Sequence, residues 1–351
     1  LKKNLKKIAY IELDTHAEIA QNFRDLMQDS NQFDVDYYFS EKIFKLVGEK
    51  ESNIYLSNST TLLDQLNAQN YDLIILGTVH RNFNLYQSIS KNFNAAMIVH
   101  NVNFTKIKKL QLFKNIFKKN LIYRFKLWLK ENLLAAPDLF KSVKNKLVLD
   151  ESLVNNQFKF MPIFFSKNDV QSVHSTINIV IPGSVEQSRR DYKMIIEKIK
   201  AFRSTTHLKF IFLGKAKGKE LMWLQGLEGE KPETIDIQYF TEKVPQAEFE
   251  VIMENAVVLW CPIQRQTEFF SNKEYYGKTK MSGNVGDAIK YRKPAIFPKN
   301  YSSKHPFLIP QEEDVEMQFL NGHKNFEYDF QKSFNKEKMR TELEGVLLSL
   351  I

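Results

Sequence analysis

Residues 71–100 read YDLIILGTVHRNFNLYQSISKNFNAAMIVH. Tyr71–Gly77 and Ala95–His100 are short and nearly all apolar, the pattern of strands buried on both faces. Between them, Asn82–Phe93 is predicted to be a helix. Strand, helix and strand in this order form a βαβ unit, whose two strands lie parallel.

The alternation extends in both directions. Upstream, Lys7–Leu13 reads as a strand. Thr15–Gln28 reads as a helix with Ile19, Phe23, Leu26 and Met27 at helical spacing. Phe33–Phe39 follows as a strand and Thr60–Ala68 as a helix, and downstream Lys146–Leu149 and Phe158–Pro162 read as later strands. From Ile177 the plan repeats. Ile177–Pro182, Leu208–Gly214, Ile235–Tyr239, Val257–Pro262 and Pro294–Pro298 are predicted strands, with helices over Gln187–Phe202, Gln246–Asn255 and Met281–Tyr291. The polar stretch Ser166–Thr176 reads as a linker, and Asn335–Leu350 as a final amphipathic helix. The expected fold class is α/β: two Rossmann-like, doubly wound parallel-sheet domains, 1–165 and 177–330, facing a central cleft, with 331–351 as a C-terminal helix.

Composition agrees with a folded chain of this kind. The 351 residues exceed one ordinary core, and 43% hydrophobic with 26% charged residues is a globular balance. Cys261 is the only cysteine, which excludes an intramolecular disulfide and a cysteine-based zinc site. The basic start Leu1–Lys7 precedes a short apolar run, Ile8–Leu13, that Asp14 interrupts, so a cytoplasmic chain without a secretory signal is expected. The net charge is +9, and it is regional: no acidic residue falls between Asp72 and Glu131. No helix-turn-helix, zinc-finger or RNP pattern supports nucleic acid as the partner.

Glu274–Pro298, EYYGKTKMSGNVGDAIKYRKPAIFP, carries the clearest chemistry. It is a polar loop with Gly277, followed by a helix and a proline-bounded strand. Lys278, Thr279 and Lys280 fall just before or within the helix's first turn, and Ser282 adds a donor. Lysines at a helix N-terminus suit a diphosphate. Lysines that merely solvate a loop are the other reading of the same residues.

This segment resembles that of GT-B glycosyltransferases of the bacterial cell-surface polysaccharide type, related to the large family 4. That family has a glutamate, a Gly a few residues on, a second glutamate eight positions after the first, and a helix ending in G-K-P before a strand. Glu274, Gly277, Lys293, Pro294 and Ala295–Phe297 keep the frame, while position 282 holds Ser in place of the second glutamate. Asp287 is expected to face the same region one turn later. The run Tyr276–Gly283, Y-G-K-T-K-x-S-G, is similar to that of a bacterial subgroup. A second stretch, Gly183 to Tyr192 (GSVEQSRRDY), follows the strand Ile177–Pro182. The family places there a glycine loop and a helix whose Arg or Lys reaches the donor phosphates. Ser184 and Arg189 match best, with Arg190 second; two surface arginines paired with Asp191 or Glu186 are the alternative. The resemblance covers about 177–300 closely and the N-terminal half by architecture.

The resemblance implies a metal-independent, hexosyltransferase-like enzyme that uses a nucleotide diphosphate sugar as substrate and needs no cofactor. Glu274, Tyr276, Gly277, Lys278, Thr279, Lys280 and Ser282 would join Ser184 and Arg189 at the donor. The N-terminal strand ends would line the acceptor side: Asp14, Thr15 and His16, then His80, then His100 and Asn101. The acceptor would be a glycan or a lipid-linked sugar in surface polysaccharide synthesis, and the last helix would cross back to the N-terminal domain. His16 and His100 are the candidate bases, since imidazole titrates near neutrality. Capping or packing accounts equally well for both, and packing is the preferred reading for His80. A retaining reaction needs no strong protein base, because the donor phosphate can take the acceptor's proton.

Other readings stay open. A nucleotide-sugar epimerase shares the architecture, and so does a non-catalytic GT-B partner of an active transferase. The string Asp34-Val35-Asp36 is the metal signature of the other main glycosyltransferase fold, but in FDVDYYF both carboxylates fall on one strand face. The histidines at 16, 80, 100, 174, 207, 305 and 323 show no ligand spacing. Finally, 104–130 (FTKIKKLQLFKNIFKKNLIYRFKLWLK) holds nine lysines and arginines and no acid. Ile107, Leu110, Phe113, Phe117, Leu121, Phe125 and Trp128 recur at helical spacing. This composition predicts one amphipathic helix that either lies on an anionic membrane, at its inner face, or packs into the N-terminal domain.

Overall fold

The computed structural model describes residues 5–47, 51–167, 176–322 and 326–351. Most of the expected linker, and His174 and His323, lie outside the described residues. In the N-terminal half the strands are β1 (Lys6–Glu12), β2 (Phe33–Phe39), β3 (Ile54–Leu56), β4 (Leu73–Leu76), β5 (Ala95–Ile98), β6 (Asn145–Val148) and β7 (Lys159–Phe160). They form one parallel sheet in the order β3-β2-β1-β4-β5-β6-β7. Among the described residues of this half, seven α-helices accompany it: α1 (Ala17–Met27), α2 (Glu41–Val47), α3 (Leu62–Asn67), α4 (Phe83–Asn92), α5 (Lys109–Ile116), α6 (Leu121–Glu131) and α7 (Ala136–Ser142).

The second half contributes β8 (Ile177–Pro182), β9 (Leu208–Lys215), β10 (Ile235–Phe240), β11 (Val258–Trp260), a hairpin of β12 (Gln266–Phe269) and β13 (Asn272–Tyr275), then β14 (Ala295–Phe297) and β15 (Leu308–Pro310). Six of these make a second parallel sheet, β10-β9-β8-β11-β14-β15. Its helices are α8 (Tyr192–Ala201), α9 (Gly218–Glu230), α10 (Gln246–Glu254), α11 (Gly283–Tyr291), α12 (Val315–Gly322), α13 (Phe330–Phe334) and α14 (Lys336–Leu348). In each sheet the strand order reverses beside the first strand, at β1/β4 and at β8/β11. Such switch points open a crevice at the carboxyl ends of the strands.

The apolar runs are buried for the reason they were legible. Ile8–Ile11 and Leu73–Leu76 are fully covered, because helices pack on both faces of a parallel sheet. Tyr10 stacks on Phe23 of α1 with ring centroids 4.6 Å apart. α14 returns to the N-terminal domain. Its Glu344 accepts from Ser30 Oγ at 2.6 Å and Gln32 Nε2 at 3.2 Å, and Lys336 pairs with Asp29.

Three local expectations are corrected. The helix expected over Gln187–Phe202 begins only at Tyr192. Asp191 caps it, accepting from Met194 N, while Arg189 and Arg190 are held in the preceding turn by backbone bonds of Arg189 O to Gln264 N and of Asp191 N to Pro262 O. The helix expected from Met281 begins at Gly283, because Ser282 is its cap. The single helix expected over 104–130 is a short 3-10 turn at Phe104–Lys106 followed by two helices. Asn120, in the left-handed region at φ 50°, turns the chain between α5 and α6.

The hairpin β12–β13 is a feature the sequence reading passed over. Phe270 and Ser271 join its strands with φ of 47° and 55°, as a two-residue I′ turn requires. A bulky residue holds this conformation only under tertiary restraint. Phe270 stacks on Phe104 of the N-terminal domain and lies against the Arg124 guanidinium. Phe269 reaches the same aromatic group. The hairpin thus belongs to the second domain by sequence and joins the core of the first by packing.

Candidate active site at the interdomain cleft

On the C-terminal side, β8 ends at Pro182 and the chain turns at Gly183, φ 104°. The glycine is required twice. Its backbone sits where other residues are strained, and a Cβ there would meet Arg190 Nη2 at 2.3 Å. Arg190, buried beneath this turn, donates to Asn284 Oδ1 at 3.0 Å and to Ser184 O at 3.4 Å. Asn284 in turn donates to Pro182 O and to Asp287 Oδ2. Arg190, Asn284 and Asp287 therefore fasten the end of β8 to the start of α11. Loss of water contact pushes the Asp287 carboxyl up to about 6, against the pull of Asn284 and Arg190.

Arg189 points the other way. Its side chain is exposed and its Nε lies 3.2 Å from Glu186 Oε2. Of the two arginines, the exposed one is available to a ligand and the buried one shapes the loop. Ser184 is exposed beside it.

The Glu274–Ser282 loop crosses toward the N-terminal domain. Glu274 is fully buried, and its carboxylate accepts from the backbone N–H groups of Phe104 at 2.8 Å and Asn103 at 3.1 Å. Those are the unpaired donors at the start of the 3-10 turn, so this carboxylate acts as a cap across the domain boundary. Thr279 is committed similarly: its Oγ1 accepts from Tyr275 N and its carbonyl from Val102 N at 2.9 Å. Gly277 turns the loop at φ 73°, Tyr276 is half-buried, and Lys278 is exposed. Ser282 Oγ is occupied in capping Asn284 N.

Lys280 extends furthest. Its Nζ donates to Asn101 Oδ1 at 2.7 Å and to His100 O at 3.5 Å. Burial pulls its pKa down to about 8; Glu274 opposes that shift and the charge of Arg189 adds to it. Arg189 is thus near enough to Lys280 for its charge to be felt there, and the exposed Lys278 stands two residues before Lys280.

On the N-terminal side, three imidazoles from three strand ends gather opposite Lys280. His16, after β1, stacks on His100, after β5, with centroids 4.1 Å apart and planes at 17°. His80, after β4, stands edge-on to both. Their tautomers follow from their partners. Asn101 Oδ1 accepts from Lys280, so its Nδ2 donates to His80 Nε2 at 3.2 Å. Gly77 O can only accept, so His100 Nε2 carries the proton in its 3.1 Å bond. Burial pulls His80 down to about 3 and His100 well below the usual range, so both are neutral. His16 sits in the left-handed region, φ 45°, as the cap residue of α1, and its Nδ1 lies 3.2 Å from Glu18 Oε1. A carboxylate accepts, so Nδ1 donates to Glu18.

Beneath this cluster lies Glu12, fully buried at the end of β1. It accepts from Thr78 Oγ1 at 2.6 Å and from the backbone N–H groups of Asp14 and Thr15. Burial pushes it up to about 7 despite those bonds. A Cβ at Gly77 would lie 2.6 Å from Glu12 Oε2, so glycine is needed there for close approach. Asp14 and Thr15 form the short loop that holds Glu12, and burial raises Asp14 as well. Asp34 and Asp36 lie elsewhere, on β2 beside Lys7, with Nζ–O distances of 3.9 and 3.2 Å; Asp36 also accepts from Tyr71. Among the described residues no group of three His, Cys, Asp or Glu side chains is arranged to hold a metal ion.

The cleft brings together His16, His100, Asn101 and Lys280 as expected partners, with Arg189 facing them. Glu12, Asn284 and the Phe269–Phe270 tip were not singled out as site residues, and Arg190, the second candidate for the donor phosphates, is instead buried beneath the Gly183 turn. An acid closing an apolar strand was the one available signal for Glu12.

No family model matches the chain, and no curated protein matches it. Solved structures do match in shape. HepE of Anabaena in complex with UDP aligns with a TM-score of 0.59 at 12% identity, covering 98% of this chain and 100% of that one. The apo lipopolysaccharide outer core galactosyltransferase WaaB gives 0.57 at 12%, with 98% and 100% covered. A UDP-N-acetylglucosamine 2-epimerase described as such from Listeria monocytogenes gives 0.52 at 10%, with 98% and 96% covered. The two parallel-sheet domains are therefore those of the GT-B fold.

Proposed function

We propose that this chain is a glycosyltransferase that moves a sugar from a nucleoside diphosphate sugar to an acceptor, a glycan or a lipid-linked sugar of surface polysaccharide synthesis. One observation carries the reading. Lys280 and Arg189, on the domain that ends β8 and starts α11, face the His16–His100 pair of the other domain across one cleft. That is a cationic wall opposite a wall of imidazoles.

The chemistry follows from this polarity. As the glycosidic bond to phosphate breaks, negative charge grows on the leaving diphosphate. Lys280 and Arg189 neutralise it in a partly dry site, where fixed charges act more strongly than in water. Ser184 and Lys278, both exposed, add donors around the phosphates. The acceptor hydroxyl approaches from the histidine side. His16 Nε2 takes its proton, with Glu18 holding the ring in the required tautomer through Nδ1. The bound UDP of the HepE structure supports a nucleotide on this fold.

A second reading rests on the likeness to the Listeria epimerase. In that case the sugar would be isomerised and no acceptor consumed. Incubation with a panel of UDP- and GDP-sugars, with product analysis by mass spectrometry, separates the two. Transfer or slow hydrolysis releasing free nucleoside diphosphate supports the proposal. A changed sugar still bound to its nucleotide supports the epimerase. Nucleotide binding with neither product would leave a non-catalytic GT-B protein.

A further inference from the structure

We propose that the outward face of the α5–α6 hairpin docks on a lipid surface that bears anionic headgroups. This goes beyond the transfer reaction and does not depend on it. No described helix is long and apolar enough to cross a membrane, so the contact would be interfacial.

The hairpin separates its apolar residues into two sets. Leu112, Ile116 and Leu127 are buried against the domain, which accounts for its folding. A second set faces out: Leu110 is 78% exposed, Ile122 75% and Leu129 76%, and Phe113, Phe117 and Leu121 are exposed as well. Along α5 and its end, positions 110, 113 and 117 make one stripe, and along α6 positions 121, 122, 125 and 129 make another. Between the stripes, Phe113, Phe117, Phe125 and Trp128 form a chain of edge-on and tilted rings with centroids 5.3–5.6 Å apart. The aromatic seam makes the two stripes one continuous surface. Solvated monomers rarely keep such a patch bare.

Charge selects the occupant. Lys106, Lys108, Lys114, Lys118, Lys126 and Lys130 border the stripes, are exposed, and make no ion pair among the described residues. The region from 73 to 130 offers no acid of its own. Apolar side chains ringed by unpaired lysines match the interfacial zone of an anionic bilayer: the stripes enter the acyl boundary and the lysines meet lipid phosphates. A protein partner would need an extended acidic surface with an apolar centre, and nothing else on this chain calls for one.

The test uses the full chain and co-sedimentation with vesicles of phosphatidylcholine, with and without phosphatidylglycerol, at low and high salt. Binding should be at least tenfold stronger on the phosphatidylglycerol vesicles and should be lost at high salt. The variant Lys114→Glu/Lys118→Glu/Lys126→Glu should lower partitioning roughly a hundredfold, at about fivefold per lysine removed. Leu110→Ser/Ile122→Ser/Leu129→Ser should lower it at least tenfold. All six side chains are exposed, so an unchanged thermal midpoint certifies folding; if a triple variant melts early, Lys118→Glu and Ile122→Ser carry the test singly. Equal binding to both vesicle types, or parental binding by either variant set, overturns the proposal. So does a concentration-dependent dimer that the serine variant abolishes in a protein with no vesicle affinity.

Discussion

Lys280 of the C-terminal domain donates to Asn101 Oδ1 of the N-terminal domain at 2.7 Å, and through that amide orients His80. One chain of hydrogen bonds therefore runs from the cationic wall of the cleft into the histidine wall. An anion that takes the Lys280 ammonium competes with Asn101, so ligand entry and domain contact are linked at this atom.

Removing either cation should weaken the donor. Lys280→Ala and Arg189→Ala are each expected to cost about 1.5–3 kcal/mol in nucleoside diphosphate affinity, the range of a charged hydrogen bond. Calorimetry with UDP and GDP reads this directly. Unchanged affinity in both variants would place the diphosphate elsewhere.

The depressed pKa of Lys280 gives the affinity a pH dependence. Below about 8 the ammonium is present; above it the group is neutral and the diphosphate loses a partner. Affinity should therefore fall as pH rises from 7 to 9. Lys280→Arg, which stays charged throughout, should flatten the profile. A flat profile in the parent would show that Lys280 does not meet the anion.

Glu12 should make stability fall with pH. Its folded-state pKa is raised from 4.5 to about 7, so folding holds a proton that the unfolded chain releases. The cost grows between these values and is complete above about 7, at about 3 kcal/mol. Glu12→Gln is expected to be more stable than the parent at pH 8, with the advantage shrinking by pH 5. Urea melts at the two pH values measure it, and an advantage that grows toward pH 5 would refute the assignment.

His16 can be tested without disturbing its backbone. Asn tolerates the left-handed conformation that His16 adopts at φ 45°. His16→Asn should therefore fold normally and bind donor normally while kcat falls about a hundredfold or more, as loss of a general base predicts. Undiminished kcat would assign His16 to packing against His100 and leave the acceptor's proton to the donor phosphate.

Transfer should survive excess chelator, because lysine, arginine and a helix start supply the positive charge. A complete loss reversed by Mg²⁺ or Mn²⁺ would reopen the question of a metal.

The architecture could be read from the sequence because its signals are local. A strand covered on both faces must be apolar throughout, as Leu73–Leu76 is, and a helix between two such strands forces them parallel. Boundaries were less legible where a side chain decides them. Asp191 and Ser282 are caps only because the chain around them is held in place by Pro262 and Asn284. The turn at Asn120 left no gap in the apolar spacing of 104–130, so two helices read as one.

The sequence by itself determined the two parallel sheets, the helices between them, and which polar residues stand at strand ends, since each depends on residues a few positions apart. Only the tertiary structure decided what those residues do. Glu274 lies 170 positions from Phe104 and caps its amide; Lys280 lies 179 from Asn101 and shares its oxygen. Arg189 and Arg190 are adjacent and alike in type, yet one is in solvent and the other lies under Gly183, because the turn between β8 and α8 points successive side chains to opposite sides. Such contacts depend on how two sheets face each other, and no periodicity within either sheet encodes that.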